Sequence, residues 1–443
     1  MGDYRETVPE RSAATNLILH VHPRTVPEQT LKFTLSWGLG GMSVVLVCLL
    51  ALTGLLLLFV YEPSIDHAYA SILTLRDEVM FGRWIRNIHH WSANILVIVV
   101  FLHLLRVFFT GAFHAPRRLN WIFGVGLFFL VLFSNFTGYL LPWDQLAYWA
   151  ITICTSMVAY IPGLGDGLQK MIRGGAEIGP ATLSGFFALH IAMLPIALAL
   201  LMPFHFWHVR KAGGLVLPAA PGETSPISAK SVPAIPNLVV REAAVGLILL
   251  AFILVFSILW DAPLGDPANP GMSPNPAKAP WYFVGIQELL IHFHPLFAVF
   301  IIPALVVAML FLLPYLAYDN PRPGVWFGST TGRRMGIVSA ITALVLTPVL
   351  VLADEFLIDF TTWMPGVPTV LSNGLLPAAL MILVLVAFYL LMKRKYGAGK
   401  NETIQALSIF LLVGFVILTV TGIWFRGEGM ALSWPGVAGI PSS

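Results

Sequence analysis

The stretch IRNIHHWSANILVIVVFLHLLRVF, residues 85–108, carries His89 and His103, 14 residues apart. A second apolar stretch, LSGFFALHIAMLPIALALLMPFHFWHVRKAGG at 183–214, carries His190 and His205, 15 residues apart. On a helix, 14 residues return to within ~40° of the same face and 15 to within ~60°. Two such helices packed face to face present four imidazoles in two facing pairs. Each pair is the ligand set that a six-coordinate haem iron needs. At ~1.5 Å of rise per residue the two irons would lie ~20 Å apart along the membrane normal, which suits a transmembrane electron wire.

The rest of the chain is read around these two helices. It has 443 residues, 57% hydrophobic and 11% charged, and a mean hydropathy of +0.82. A soluble chain this apolar would aggregate, so an all-α polytopic membrane protein is expected. Its net charge of +3 is small, and no nucleic-acid partner is expected. Cys48 and Cys154 lie in apolar surroundings and support no disulfide framework, and the chain has no Cys-x-x-Cys-His haem-attachment motif.

Nine stretches free of Asp, Glu, Lys and Arg are long enough to span, at roughly 33–61, 87–105, 119–141, 180–209, 243–260, 293–318, 335–353, 370–392 and 403–425. Placing the N-terminus and every second loop inside collects 18 of the 25 Lys and Arg there and leaves 7 outside. The positive-inside rule then puts the N-terminus in the cytoplasm and, after nine spans, the C-terminus outside. The polar first 30 residues show no signal-peptide pattern, which agrees. The third-to-fourth loop is long and amphipathic, as for a helical hairpin at the interface. The fifth-to-sixth loop is Pro-rich and then turns apolar and helical, and loops of this length usually line a site. We therefore expect an N-terminal segment 1–32, a dihaem four-helix bundle 33–210, a linker 211–240, a half 241–355 and extra C-terminal helices 356–443.

A lone membrane histidine is more often a packing residue than a ligand. Four at matched spacing on two helices point to ligation, because intramembrane ionisable groups need partners. By spacing alone His90, 13 residues before His103, competes with His89, and His208 lies one turn beyond His205. Gly40 and Gly54 on the first span, and Gly124 and Gly138 on the third, repeat the 14-residue period. A flat macrocycle wedged in a bundle needs residues without Cβ where its edge meets a helix. Arg86 and Arg106 stand three residues outside His89 and His103, placed to pair with haem propionates.

The strings HHWSAN, FLHLLRVFFTGAF, TGYLLPWDQLAYWA, RGGAEIGPATLSGFFALH and PWYF make the chain resemble the cytochrome b subunit of quinol–cytochrome c oxidoreductases, the cytochrome bc complexes. The resemblance covers roughly residues 30 to 355. LPWDQ and the 15-residue ligand spacing lean toward the chloroplast-type bf branch, although that branch splits the chain that is continuous here. The resemblance implies that His89 and His190 ligate an outer haem, that His103 and His205 ligate an inner one, and that His90 is a neighbour. It implies two non-covalent b-type haems. Where the chloroplast type attaches an extra haem to a cysteine, this chain has Gly38-Leu39-Gly40-Gly41, so no covalent haem is expected.

The same resemblance implies bifurcated quinol oxidation between the third-to-fourth loop and the segment Pro280-Trp281-Tyr282. One electron would go to a Rieske iron–sulfur protein and then a c-type cytochrome. The other would cross through the two haems to an inner-face quinone, with proton translocation. The setting implied is a bacterial inner membrane and a dimeric multi-subunit complex in contact with lipid. The family's glutamate before the tryptophan is missing here, since Ala279 and Pro280 precede Trp281. Glu288 is the expected replacement, a desolvated carboxyl of raised pKa that accepts a quinol proton. His292 and His294 read as interfacial histidines. The ninth span and the tail TGIWFRGEGMALSWPGVAG lie beyond the family core and read as a dock for another subunit. Two rival classes remain: a smaller non-bifurcating dihaem anchor between a dehydrogenase and quinone, and a transporter with histidines on its path.

Overall fold

The computed structural model describes residues 22–218, 230–319 and 322–434. Most of the 1–32 segment, the middle of the 211–240 linker and the last nine residues lie outside that description. Among the described residues nine helices are long and apolar enough to cross a membrane. They are α1 Leu39–Leu57, α3 Gly82–Phe109, α4 Arg118–Leu140, α7 Pro180–Lys211, α8 Ala234–Leu259, α10 Leu296–Tyr315, α11 Thr330–Phe356, α12 Leu371–Tyr396 and α13 Lys400–Trp424. Between them lie α2 Ala68–Asp77, α5 Gln145–Val158, α6 Gly165–Arg173 and α9 Val284–His292. Each of the nine expected spans coincides with one helix, so the chain is a multi-pass membrane protein.

Local chemistry sets the ends. The last turn of α12 carries Lys393, Arg394 and Lys395, which offset the C-terminal dipole, and Gly397 closes it at φ +57°. Asp144 caps α5 by accepting a hydrogen bond from the Ala147 N–H at 2.8 Å. Its other oxygen accepts from Gly265 N–H at 2.9 Å, which ties the α5–α6 hairpin to the loop before α9. A short antiparallel pair, β1 Thr25–Pro27 and β2 Ser231–Pro233, joins the chain before α1 to the chain before α8.

Helices α1, α3, α4 and α7 form the expected four-helix bundle: α1 packs along α3, α4 along α7, and α3 against α4. Its apolar centre is built from Leu46, Ile88, Leu96, Val97 and Val131, with Leu249 and Ile253 of α8 closing one side. Lipid tails are as apolar as leucine, so this contact rests on close packing and not on water exclusion. Large apolar side chains such as Leu247, Ile248 and Leu383 are left uncovered on the outside of the helices.

The C-terminal helices pack onto the rest of the chain. Helix α13 lies along α11 and against α9, and α12 packs on α13. Glycine makes the contact close: a Cβ on Gly422 would stand 2.3 Å from a Val284 methyl. The tail beyond α13 turns back on itself through a bridge between Arg426 and Leu432 and buries Arg426 to 2% exposure.

Candidate functional site

The bundle brings the four histidines together in the expected pairs. The His89 and His190 ring centroids are 6.2 Å apart, and those of His103 and His205 are 6.4 Å apart. Two imidazoles bound coaxially to one metal at about 2 Å per nitrogen have centroids about 6 Å apart. Both gaps therefore fit a six-coordinate iron. The 15-residue spacing on α7 has a local cause. The turn Leu189–Met193, which contains His190, is a π-helix, and its wide turn takes up one extra residue. The helix thereby recovers the phase of the 14-residue spacing on α3.

In the His89/His190 pair the ring nitrogens are oriented by their neighbours. Thr53 Oγ1 donates to Leu49 O at 2.7 Å, so it is an acceptor for His89 Nδ1 at 2.9 Å. His190 Nδ1 lies 3.0 Å from the Ser134 carbonyl, which can only accept, and 3.0 Å from Thr137 Oγ1. In both rings Nδ1 carries the proton, and Nε2 keeps its lone pair for a metal. Sequence reasoning missed Thr53 and Thr137. The signal was present: each immediately precedes one of the periodic glycines, as Thr53-Gly54 and Thr137-Gly138.

Each periodic glycine faces one histidine. A Cβ would stand 3.2 Å from His89 Cε1 at Gly54 and 2.6 Å from His190 Cε1 at Gly138. It would stand 3.4 Å from His205 Cε1 at Gly124 and 3.7 Å from His103 Cε1 at Gly40. Room for the imidazole itself, besides any macrocycle edge, is thus what the shared period provides.

The flanking arginines are both buried. Arg86 donates to the Ala262 and Pro263 carbonyls at 2.8 and 2.7 Å, and Arg106 to the Leu35 carbonyl at 2.9 Å. These bonds use two of the five donors of Arg86 and one of those of Arg106, so each retains N–H groups for an anion. Arg86 lines a cavity of about 450 Å³ with Arg76, Arg83 and Asp261. Arg83 is paired with Asp261, and this contact with Asn87 holds the Asp261 carboxyl down at about 2.

The segment before α9 runs beside the His89 end of the bundle. Trp281 Nε1 donates to Asn94 Oδ1 at 2.7 Å, and Asn94 Nδ2 donates to the His90 carbonyl at 2.9 Å. Sequence reasoning did not single out Asn94, the last residue of HHWSAN. Phe283 meets Phe136 of α4 edge to face, with centroids 5.6 Å apart. The Tyr282 hydroxyl is buried without a hydrogen-bond partner, and burial raises its pKa. Gln287 clamps the approach, accepting from Ala279 N–H at 2.7 Å and donating to the Ala277 carbonyl at 2.6 Å.

Glu288 does not have the expected setting. It is 0% exposed and paired with Arg426, Nη2 to Oε1, at 2.7 Å. Burial pushes its carboxyl up, but the His292 ring 3.4 Å away and the hydrogen bonds from Arg426 outweigh that and hold the pKa below the ordinary carboxylate range. The expectation of a raised pKa is therefore reversed. The helix explains the placement: five residues from Phe283 turn Glu288 about 140° away from the Phe136 contact, toward α13. His292 is likewise no simple interfacial residue. Its Nδ1 lies 2.6 Å from Asp354 Oδ2 and its Nε2 3.4 Å from Glu288 Oε1. Burial lowers its pKa, but those carboxylates prevail and raise it to about 9. His294 stacks edge-on against Tyr160, beyond the end of α5, at 5.5 Å.

The profile of the cytochrome b/b6/petB family matches residues 26–213, the four-helix bundle with its approach. Cytochrome b6 of Synechococcus elongatus is 42% identical over 175 residues, covering 40% of this chain and 81% of that protein. The chain belongs to the cytochrome b/b6 family. Cytochrome b6 of Prochlorococcus marinus (strain AS9601) is 41% identical over 40% of this chain and 80% of its own. Beyond the bundle the fold is shared with a chain of a solved hyperthermophilic respiratory Complex III. That likeness has a TM-score of 0.65 and 23% identity, over 93% of this chain and 96% of that one. Cytochromes b of this family carry electrons within the membrane and bind haem.

Proposed function

We propose that this cytochrome b binds two non-covalent b-type haems and oxidises quinol at the His89 end of the bundle. One electron crosses to a quinone at the His103 end, and the other leaves to a Rieske-type iron–sulfur partner and then a c-type cytochrome, with proton translocation. His89 and His190 would hold one haem, and His103 and His205 the other. Arg86 and Arg106 would offer their remaining N–H groups to the propionates. Bound there, haem supplies one-electron redox chemistry. The observation that carries it is the pair of matched imidazole gaps, with each of the four imidazoles opposite a glycine.

The protein's own groups define the rest. Thr53, Ser134 and Thr137 hold the imidazole tautomers that leave Nε2 free. Pro280, Trp281 and Tyr282 form the quinol side, where the unpartnered Tyr282 hydroxyl is the polar atom for a quinol oxygen. Burial keeps that phenol protonated, so it orients and does not deprotonate its substrate. Asp261 and Glu288 are both committed to arginines, so we assign the proton acceptor to water or the partner subunit. Residues 33–210 would be the dihaem unit and 241–355 the quinol half. The N-terminus would be cytoplasmic, and the chain would sit in a bacterial inner membrane as part of a dimeric complex.

The test is a reduced-minus-oxidised spectrum with a haem count on the purified complex, followed by titration with an outer-site quinol inhibitor. Two haems per chain and inhibitor-sensitive reduction are expected. One haem or none would overturn the ligand assignment. Two haems with no inhibitor effect would replace bifurcation with the simple anchor.

A further inference from the structure

The last turn of α13 and the tail after it touch the quinol-side segment on both flanks of Pro280-Trp281-Tyr282. Before it, Gly429 N–H donates to Asn275 Oδ1 at 2.6 Å, and Lys278 Nζ donates to the Ile423 carbonyl at 2.8 Å. After it, Arg426 grips Glu288 with Nε at 3.1 Å and Nη2 at 2.7 Å from Oε1. The same guanidinium reaches Glu355 of α11 through Nη1 at 2.8 Å and the Met430 carbonyl at 3.1 Å. Both the Arg426 and Glu288 side chains are 0% exposed.

We propose that the end of α13 and the tail after it form a clamp that positions the Asn275–Glu288 segment for quinol, with Arg426 as the positioning residue. This rests on the reading that the segment borders the quinol site. A buried guanidinium with two carboxylates is a costly way to gain stability, and its geometric specificity is what it offers in return. Here one planar fork fixes α9, α11 and the tail in a single register. The neighbouring charges are Asp354 and His292, which extend the network along the same faces. Gly285 and Gly422 let α9 and α13 approach closely enough for the fork to reach.

The experiment uses the assembled complex with Arg426→Gln, Arg426→Lys and Lys278→Met. Lys278→Met removes one grip without stranding a buried carboxylate, so it serves if Arg426→Gln does not assemble. Three readouts are taken: the haem spectrum, amide exchange across residues 272–290, and KM and kcat for quinol. Retained haems, exchange about tenfold faster and a KM about tenfold higher are expected for Arg426→Gln, with partial rescue in Arg426→Lys and a smaller change of the same sign in Lys278→Met. Unchanged exchange in Arg426→Gln, or in Lys278→Met where only it assembles, overturns the clamp. Faster exchange with unaltered quinol kinetics leaves the clamp standing and overturns the placement of quinol beside this segment.

Discussion

Gly138 and His190 stand in the tightest of the four glycine–histidine contacts: a Cβ on Gly138 would lie 2.6 Å from His190 Cε1. The ring cannot simply swing away, because its Nδ1 is held by Ser134 and Thr137. Space and orientation at this histidine are therefore set by one helix, α4, and delivered to another, α7.

Gly138→Ala is expected to weaken haem binding at the His89/His190 pair about 10- to 100-fold, as for other losses of ligand support. Gly40→Ala, where the Cβ would clear His103 by 3.7 Å, is expected to be nearly silent. Haem counts on the two purified variants check the contrast, and equal behaviour would refute the steric argument.

His190→Ala and His205→Ala are each expected to remove one haem and keep the other. Acid–acetone is expected to extract all haem from the wild-type chain. Two haems persisting in either variant, or haem stain remaining on the denatured polypeptide, would contradict the ligand assignment.

Thr53→Val deletes the acceptor of the His89 Nδ1 proton while leaving volume almost unchanged. Loss of such a partner lowers ligand basicity, so a raised midpoint potential of one haem and about tenfold weaker binding are expected. A redox titration identical to wild type would show that the Thr53 contact is incidental.

The His292 imidazolium gives a pH dependence of stability. Its pKa is raised from 6.5 to about 9, so its contribution is complete below pH 6.5 and is lost as pH rises through 9. The melting temperature of the solubilised protein is expected to fall between pH 7 and pH 9.5, and His292→Gln to flatten that part of the fall. Parallel curves for the two proteins would remove the charged histidine from the account.

Reporters placed at Gly397 and at Gly366 test orientation. The surplus of Lys and Arg in alternate loops predicts Gly397 on the cytoplasmic side and Gly366 on the outer side. The opposite result would invert the whole bundle and exchange the two quinone sides.

The nine spans and the paired histidines were legible in the sequence because they are local. Hydropathy over about 20 residues decides whether a helix can cross a bilayer, and a repeat of 14 residues decides which side chains share a face. The 15-residue spacing on α7 already strained that logic, and only the π turn at Leu189–Met193 explains it. The fate of Glu288 was beyond the sequence altogether. An acid in an apolar helix must find a partner, but nothing in composition or period says which one. Here the partner is Arg426, 138 residues away, and only the packing of α13 against α9 brings it there. A carboxyl that reads as a desolvated acid by its neighbours in sequence thus becomes an ion-paired anion by its neighbours in space.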